Sequence, residues 1–108
     1  MPIYNKLVRD LIPEIIESKR NKFSTRKLSD EDYITELKKK SFEELEEYIK
    51  ADNEEEAVEE LADLLEIIHA LAEIHSSSIE EVENVRKRKA ENRGGLKKKI
   101  FLMEVQDS

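Results

Sequence analysis

The sequence predicts an all-α fold, a bundle of about four helices with a short extended segment at the N-terminus, the C-terminus or both. Apolar side chains between residues 30 and 75 recur with the helical period of about 3.6 residues. The chain has only two glycines and two prolines, which favours long helices over many turns. Serine, asparagine and glycine also stand where helices of this kind begin and end.

The first two predicted helices begin after capping residues. Asp10 is expected to cap the first helix, with Pro13 tolerated in its first turn and the helix reaching about Lys22. Ser29 is expected to cap the second helix, which continues to about Ala51. Three acidic residues follow Ser29, and negative charge is favourable at the positive end of a helix.

Turn residues mark the third and fourth predicted helices. Asp52–Asn53 forms a turn and a cap, and the third helix is expected over residues 54 to about 75. Ser78 begins a capping box, so a fourth helix is expected over residues 79 to about 92. Gly94–Gly95 then stops it, because glycine adopts the left-handed cap conformation at little cost.

Composition narrows the classes of function. The chain is long enough for one domain, residues 1–108, but only 38% of its residues are apolar. The net charge of −7 argues against nucleic acid as a partner. There is no cysteine, so disulfides and thiolate metal sites are excluded. No apolar run is long enough to span a membrane and no signal-peptide pattern occurs, so we expect a cytoplasmic protein with no membrane partner.

The small apolar fraction predicts a homodimer or a higher homo-oligomer, in which helices of several copies bury their apolar stripes together. The four consecutive apolar residues Ile100 to Met103 lie near the C-terminus. They predict a short strand or an extended segment that packs on the bundle or on a partner.

Two acidic pairs form a candidate metal site. Glu44 and Glu47 are three residues apart, as are Glu60 and Asp63, and residues with this spacing share a helix face. Two antiparallel helices would bring the four carboxylates to one point, where they repel one another unless a cation lies between them. Oxygen-rich sites of this kind suit Mg²⁺, with Mn²⁺ as a substitute.

The apolar stripes of the two helices separate this hypothesis from a simpler one. Glu44 falls inside the stripe of its helix and Glu47 roughly 40° beyond the edge, while Glu60 falls inside the next stripe with Asp63 about 20° outside. A carboxylate within an apolar stripe is expensive to desolvate without a partner. The simpler hypothesis is that these acids only solvate two helices, since 42% of the residues are charged.

Basic residues indicate a second kind of chemistry. Arg93 precedes two glycines, which let a backbone approach a ligand closely, and arginine offers two donors to phosphate. Carboxylates that hold a metal beside basic side chains are the equipment for phosphoryl-group chemistry. A Glu-x-x-His step at Glu66 and His69 lies outside the apolar stripe, and a solvated face explains it better than a di-iron site.

Four blocks of sequence stand at characteristic distances along the chain. They read YNKLVRDLIPEII from Tyr4, EELEE from Glu43, EELADLLE from Glu59 and KAENRGGL from Lys89. In this order they resemble the MazG-like branch of the all-α NTP pyrophosphohydrolases, and together they span nearly the whole chain. The signature of that family, E-x-x-E, a spacer and E-x-x-D, maps onto Glu44, Glu47, Glu60 and Asp63.

The resemblance implies an oligomeric helical bundle that uses Mg²⁺ to cleave a nucleoside triphosphate, ribo or deoxy, to the monophosphate and pyrophosphate. House-cleaning of the nucleotide pool is the corresponding role. The four acidic residues would hold the metal, and Glu43 or Glu47 would take the proton of the water that attacks the α-phosphorus. Phosphate oxygens would be bound by four basic residues, Lys6, Arg9, Lys89 and Arg93.

Two positions depart from the family pattern, and two alternatives stay open. Leu96 follows the two glycines where the family usually has Phe. Leu11 stands in place of a Lys that the resemblance would make a phosphate contact. Phosphoribosyl-ATP pyrophosphohydrolase is a rival with a related fold, although its N-terminal and metal blocks match less well. A non-catalytic helical interaction module is the alternative of another class.

Overall fold

The computed structural model describes residues 3–107, and this part of the chain contains four α-helices and no strand. In chain order the helices are α1 (Ile12–Ser18), α2 (Asp30–Ile49), α3 (Glu54–Ile74) and α4 (Ile79–Arg93). The predicted all-α fold with about four helices is therefore confirmed. Among these helices, none is long and apolar enough to cross a membrane.

Side-chain caps begin the three longer helices at the predicted residues. Ser29, Asn53 and Ser78 each accept a hydrogen bond from the backbone N–H of the third residue that follows, which satisfies one unpaired donor of the first turn. α4 ends at Arg93 and is followed by Gly94, whose φ of +83° would strain any residue with a side chain. The ends of α2, α3 and α4 lie within two residues of their predicted positions.

α1 differs from its prediction at both ends. Leu11 rather than Asp10 holds the capping position, and no side chain caps the helix. The helix ends at Ser18 instead of continuing to about Lys22. Residues 17–22 are all polar and exposed, so a further turn would bury no apolar surface and nothing would stabilise it.

α2 and α3 form a helical hairpin that contains most of the packing between helices. Because only a short turn connects them, the two helices run antiparallel. α4 packs on α3, and α1 packs on no other helix. The centre of the hairpin is formed by Leu37, Ile67 and Ala72, which are 3–5% exposed. This hairpin positions every acidic residue of the predicted site.

Much apolar surface stays outside this centre. Phe42 and Ile49 on α2 are 71% and 72% exposed, and Val58 on α3 is 63% exposed. Ile100 to Met103 are 73–83% exposed and have no regular secondary structure. Of the predicted alternatives, the strand and the packing on the bundle are therefore wrong for the described residues, while an extended segment that packs on a partner stays a prediction.

The chain is elongated for its length. Its Cα radius of gyration is 18.7 Å, with extents of 66 × 36 × 25 Å, whereas a compact domain of this length has a radius of about 13 Å. The three buried residues of the hairpin are a small core for such a shape.

Candidate functional site

Three carboxylates of the hairpin lie close together. Glu44 comes from α2, whereas Glu60 and Asp63 come from α3, one helical turn apart. One carboxylate oxygen of each residue lies within 4.8 Å of the other two. The side chain of Glu44 is 14% exposed and that of Asp63 40% exposed, so the cluster is partly shielded from bulk water. Three of the four predicted metal ligands are thus brought together.

Glu47, the fourth predicted ligand, does not belong to this cluster. It lies one turn beyond Glu44 on α2, is exposed, and lines the cleft beside the cluster. The helical geometry that places Glu44 within the apolar stripe places Glu47 on its outer side. Glu43 lines the same cleft. The roles of Glu43 and Glu47 as proton acceptors stay predictions.

Neighbouring carboxylates change the protonation of Glu60. A hydrogen bond with Glu44 is the main cause that raises the pKa of Glu60 above its ordinary value. Partial removal from water and the negative charges of Glu44, Asp63 and Glu47 act in the same direction. A proton on Glu60, or another positive charge beside it, is therefore more favourable than at an isolated glutamate.

Arg9 supplies one such positive charge. Its guanidinium donates a hydrogen bond of 2.8 Å to Oδ1 of Asp63 and lies 4.0 Å from Oε1 of Glu66. This contact ties the N-terminal segment to α3, and the hydrogen bond to Asp63 raises the pKa of Arg9. The sequence predicts Arg9 as a phosphate ligand but does not reveal its contact with a predicted metal ligand.

A cleft of about 500 Å³ opens beside the cluster. Six carboxylates and three lysines line it, drawn from both helices of the hairpin and from the N-terminal segment: Lys6, Lys40, Glu43, Glu44, Glu46, Glu47, Lys50, Glu60 and Asp63. Carboxylates attract a cation, and ammonium groups attract an anion. The lining therefore suits a ligand that contains both a metal ion and negatively charged oxygens.

The sequence predicts Lys6 as a residue of the site but does not predict Lys40. Lys6, a predicted phosphate ligand, lines the cleft, and its ammonium lies 5.8 Å from the centre of the Tyr4 ring. Lys40 is missed by the sequence prediction, although its ammonium lies 3.7 Å from Oε1 of Glu44. The signal for Lys40 is its position one helical turn before Glu44. Because residues 38–40 are all lysine, the sequence alone does not show which of them faces the cleft.

The other two predicted phosphate ligands lie elsewhere. Lys89 and Arg93 are exposed residues in the C-terminal half of α4. Neither lines the cleft as formed by residues 3–107 of one chain. α4 contacts α3 and not α2, so it stands apart from the helix that contributes Glu43, Glu44 and Glu47. The predicted set of four basic residues is thus divided between two places.

Comparison with known proteins does not indicate a function for this chain. No family model, no curated protein and no solved structure matches this chain. A functional proposal for this chain therefore depends on the geometry and charge of the hairpin cleft.

Proposed function

We propose that the protein is a Mg²⁺-dependent nucleoside triphosphate pyrophosphohydrolase of the MazG-like type. It would hydrolyse a (d)NTP at the α-phosphorus to the (d)NMP and pyrophosphate. The observation that best supports the proposal is the cluster of Glu44, Glu60 and Asp63 in a cleft that lysines also line. Charged groups of both signs at one place are what a metal–triphosphate complex requires.

The cluster suits a small divalent ion. Mg²⁺–oxygen distances of about 2.1 Å place opposite ligand oxygens about 4.2 Å apart. One carboxylate oxygen of each residue lies within 4.8 Å of the other two, so side-chain rotations that shorten these separations would let the three residues hold one ion. Carboxylate oxygens are also the donors that Mg²⁺ and Mn²⁺ prefer. When bound, the ion supplies charge neutralisation for the triphosphate and a more acidic water.

The surrounding residues have distinct tasks in this proposal. Lys6 binds phosphate oxygens from the wall of the cleft, and Arg9 does so once a metal ion replaces it on Asp63. Glu43 or Glu47 accepts the proton of the attacking water, because neither is held in the carboxylate cluster. Lys89 and Arg93 belong to the phosphate-binding set through the family resemblance alone.

A homodimer or larger homo-oligomer is part of the proposal. Its support is the small core of the hairpin, the exposed apolar residues of α2 and α3, and the elongated shape of one chain. Helices from another copy would bury these residues, and burial of apolar surface is the main favourable contribution to such association.

Substrate turnover is the direct test. Pyrophosphate release should be measured with all common NTPs and dNTPs and with phosphoribosyl-ATP, each with and without Mg²⁺ or Mn²⁺. We expect release from at least one nucleoside triphosphate, and only with a divalent ion. Turnover of phosphoribosyl-ATP alone would favour the rival activity. No turnover together with no metal binding in calorimetry would favour a non-catalytic module.

Single substitutions test whether the carboxylates act in the reaction. We expect Asp63→Asn or Glu47→Gln to reduce turnover at least about a hundredfold, with helical circular dichroism and oligomeric state unchanged. Glu59→Gln is the matched control, because Glu59 is an exposed neighbour on α3 that does not line the cleft. Loss of folding in Asp63→Asn or Glu47→Gln would indicate a structural role instead.

A further inference from the structure

We propose that Lys40 is a phosphate-binding residue of the cleft, where its ammonium contacts an oxygen of the polyphosphate chain held by the metal ion. The inference rests on the proposed function and adds a residue to its site. No sequence block that resembles the MazG-like proteins includes Lys40. The structure alone draws attention to it, through its burial, its neighbour Glu44 and its place in the cleft wall.

The burial of Lys40 separates it from the other ion-paired lysines. Its side chain is 21% exposed, whereas the side chains of Lys39 and Lys50 are 66% and 67% exposed. Lys39 pairs with Glu36 and Lys50 with Glu46 on the surface of α2. An exposed ion pair of that kind needs no functional explanation. A lysine that is largely shielded from water beside a carboxylate cluster is unusual and does need a functional explanation.

The distance between Lys40 and Glu44 leaves the ammonium able to bind another group. Nζ of Lys40 lies 3.7 Å from Oε1 of Glu44, beyond the hydrogen-bond range of about 3.2 Å. The pair is therefore held by charge attraction, and none of the three N–H donors of Lys40 forms a hydrogen bond with Glu44. A divalent ion bound at Glu44 weakens this attraction, because a second cation then shares the carboxylate.

The position of Lys40 suits a charged chain of phosphates. Lys40 precedes Glu44 by one turn of α2, so it stands at one end of the carboxylate cluster. Lys6 reaches the same cleft from the N-terminal segment. Lysines from the N-terminal segment and from α2 therefore line the cleft together with the carboxylates. A metal ion balances only part of the charge of a triphosphate, and ammonium groups nearby balance more of it.

Binding measurements test the proposal without requiring turnover. Calorimetry should be performed with Mn²⁺ alone and with inorganic pyrophosphate in the presence of Mg²⁺, on wild type, Lys40→Met and Lys39→Met. We expect Lys40→Met to weaken pyrophosphate binding about tenfold, the loss of one charge-assisted contact. We expect Mn²⁺ binding to stay within about threefold of wild type. Lys39→Met should leave both affinities unchanged.

Turnover adds a second measurement if the wild type is active. We expect Lys40→Met to raise KM for the nucleoside triphosphate more than it lowers kcat, and Lys40→Arg to restore part of the affinity because it keeps the positive charge. Unchanged pyrophosphate binding in Lys40→Met would overturn the proposal. So would a loss of Mn²⁺ affinity as large as the loss of pyrophosphate affinity, since Lys40 would then only position Glu44.

The outcomes separate this inference from the proposed function. A wild type that binds pyrophosphate through Lys40 but hydrolyses no nucleoside triphosphate would refute the reaction and support the binding residue. If the wild type is active and Lys40→Met binds pyrophosphate as tightly as wild type, Lys40 is not a phosphate ligand, and the proposed reaction is unaffected. A folded wild type that binds no pyrophosphate with Mg²⁺ would refute Lys40 as a phosphate ligand.

Discussion

The raised pKa of Glu60 makes the stability of the metal-free protein depend on pH. The folded chain holds this proton more tightly than the unfolded chain, whose Glu60 has the ordinary pKa of 4.5. Glu60 therefore stabilises the fold below that value, and the contribution is lost as the pH rises through the raised pKa. We expect Glu60→Gln to raise Tm above that of wild type at pH 7 and to change it little at pH 4. Thermal unfolding in EDTA measures both.

A matched carboxylate and a metal ion provide the controls for Glu60. Glu59→Gln should give the same small difference in Tm at both pH values, because Glu59 is exposed on α3. Mg²⁺ in place of EDTA should raise the Tm of wild type more at pH 7 than at pH 4, since protons and the ion compete for the same carboxylates. If Glu60→Gln changed Tm equally at the two pH values, this result would contradict a raised pKa of Glu60 in the folded chain.

Arg9 competes with a metal ion for Asp63. Because its guanidinium bonds to Oδ1 of Asp63 at 2.8 Å, an ion that binds there must displace it. We expect Arg9→Met to tighten Mn²⁺ binding about two- to fivefold, the size of one partly exposed ion pair, and to weaken pyrophosphate binding. Calorimetry measures both affinities, with the exposed Arg20→Met as control. Weaker Mn²⁺ binding in Arg9→Met would show that Arg9 instead holds Asp63 in place.

At the residue scale, the sequence predicts those side-chain positions that follow from helical spacing. Spacing and apolar stripes predict that Glu44, Glu60 and Asp63 share a site, and the structure brings them within 4.8 Å of one another. Both facts follow from the period of the helix and the antiparallel hairpin. The contact of Arg9 with Asp63 joins residues 54 positions apart. No local spacing encodes it, because the path of the N-terminal segment depends on the whole chain.

At the element scale, the cap of α3 matters because α3 carries two of the clustered carboxylates. The side chain of Asn53 accepts a hydrogen bond of 2.9 Å from the backbone N–H of Glu56. We expect Asn53→Ala to lower the free energy of unfolding by about 1 kcal/mol. Asn84→Ala, in the exposed middle of α4, should lower it by less or raise it, since alanine is a better helix former. Urea unfolding followed by circular dichroism compares the two variants.

The same local physics explains which elements the sequence predicts well. Ser29, Asn53 and Ser78 cap their helices through a residue three positions away, so a short stretch of sequence contains the whole interaction. α1 lacks such a bond, and its end is decided by the absence of apolar residues to pack after Ile16. An equal loss of stability in Asn53→Ala and Asn84→Ala would contradict the assigned cap.

At the scale of the whole molecule, each helix of the hairpin keeps an exposed apolar stripe. Phe42 and Ile49 on α2 are two helical turns apart and 71% and 72% exposed. Val58 and Leu65 on α3 have the same spacing and are 63% and 49% exposed. Residues seven apart share a helix face, so these side chains form continuous stripes. The sequence predicts the stripes, but what covers them is a property of the assembly.

The oligomeric state tests whether other copies cover the stripes. We expect light scattering after gel filtration to give at least twice the 12.7 kDa of one chain. Phe42→Lys should shift the protein toward the monomer and lower its Tm, because the charge would have to be buried in the interface. Leu96→Lys is the matched control, since Leu96 is 95% exposed and lies outside the hairpin. A wild type that stays monomeric at high concentration and still unfolds cooperatively would show that the hairpin needs no second copy. In that case Phe42→Lys would leave mass and Tm unchanged.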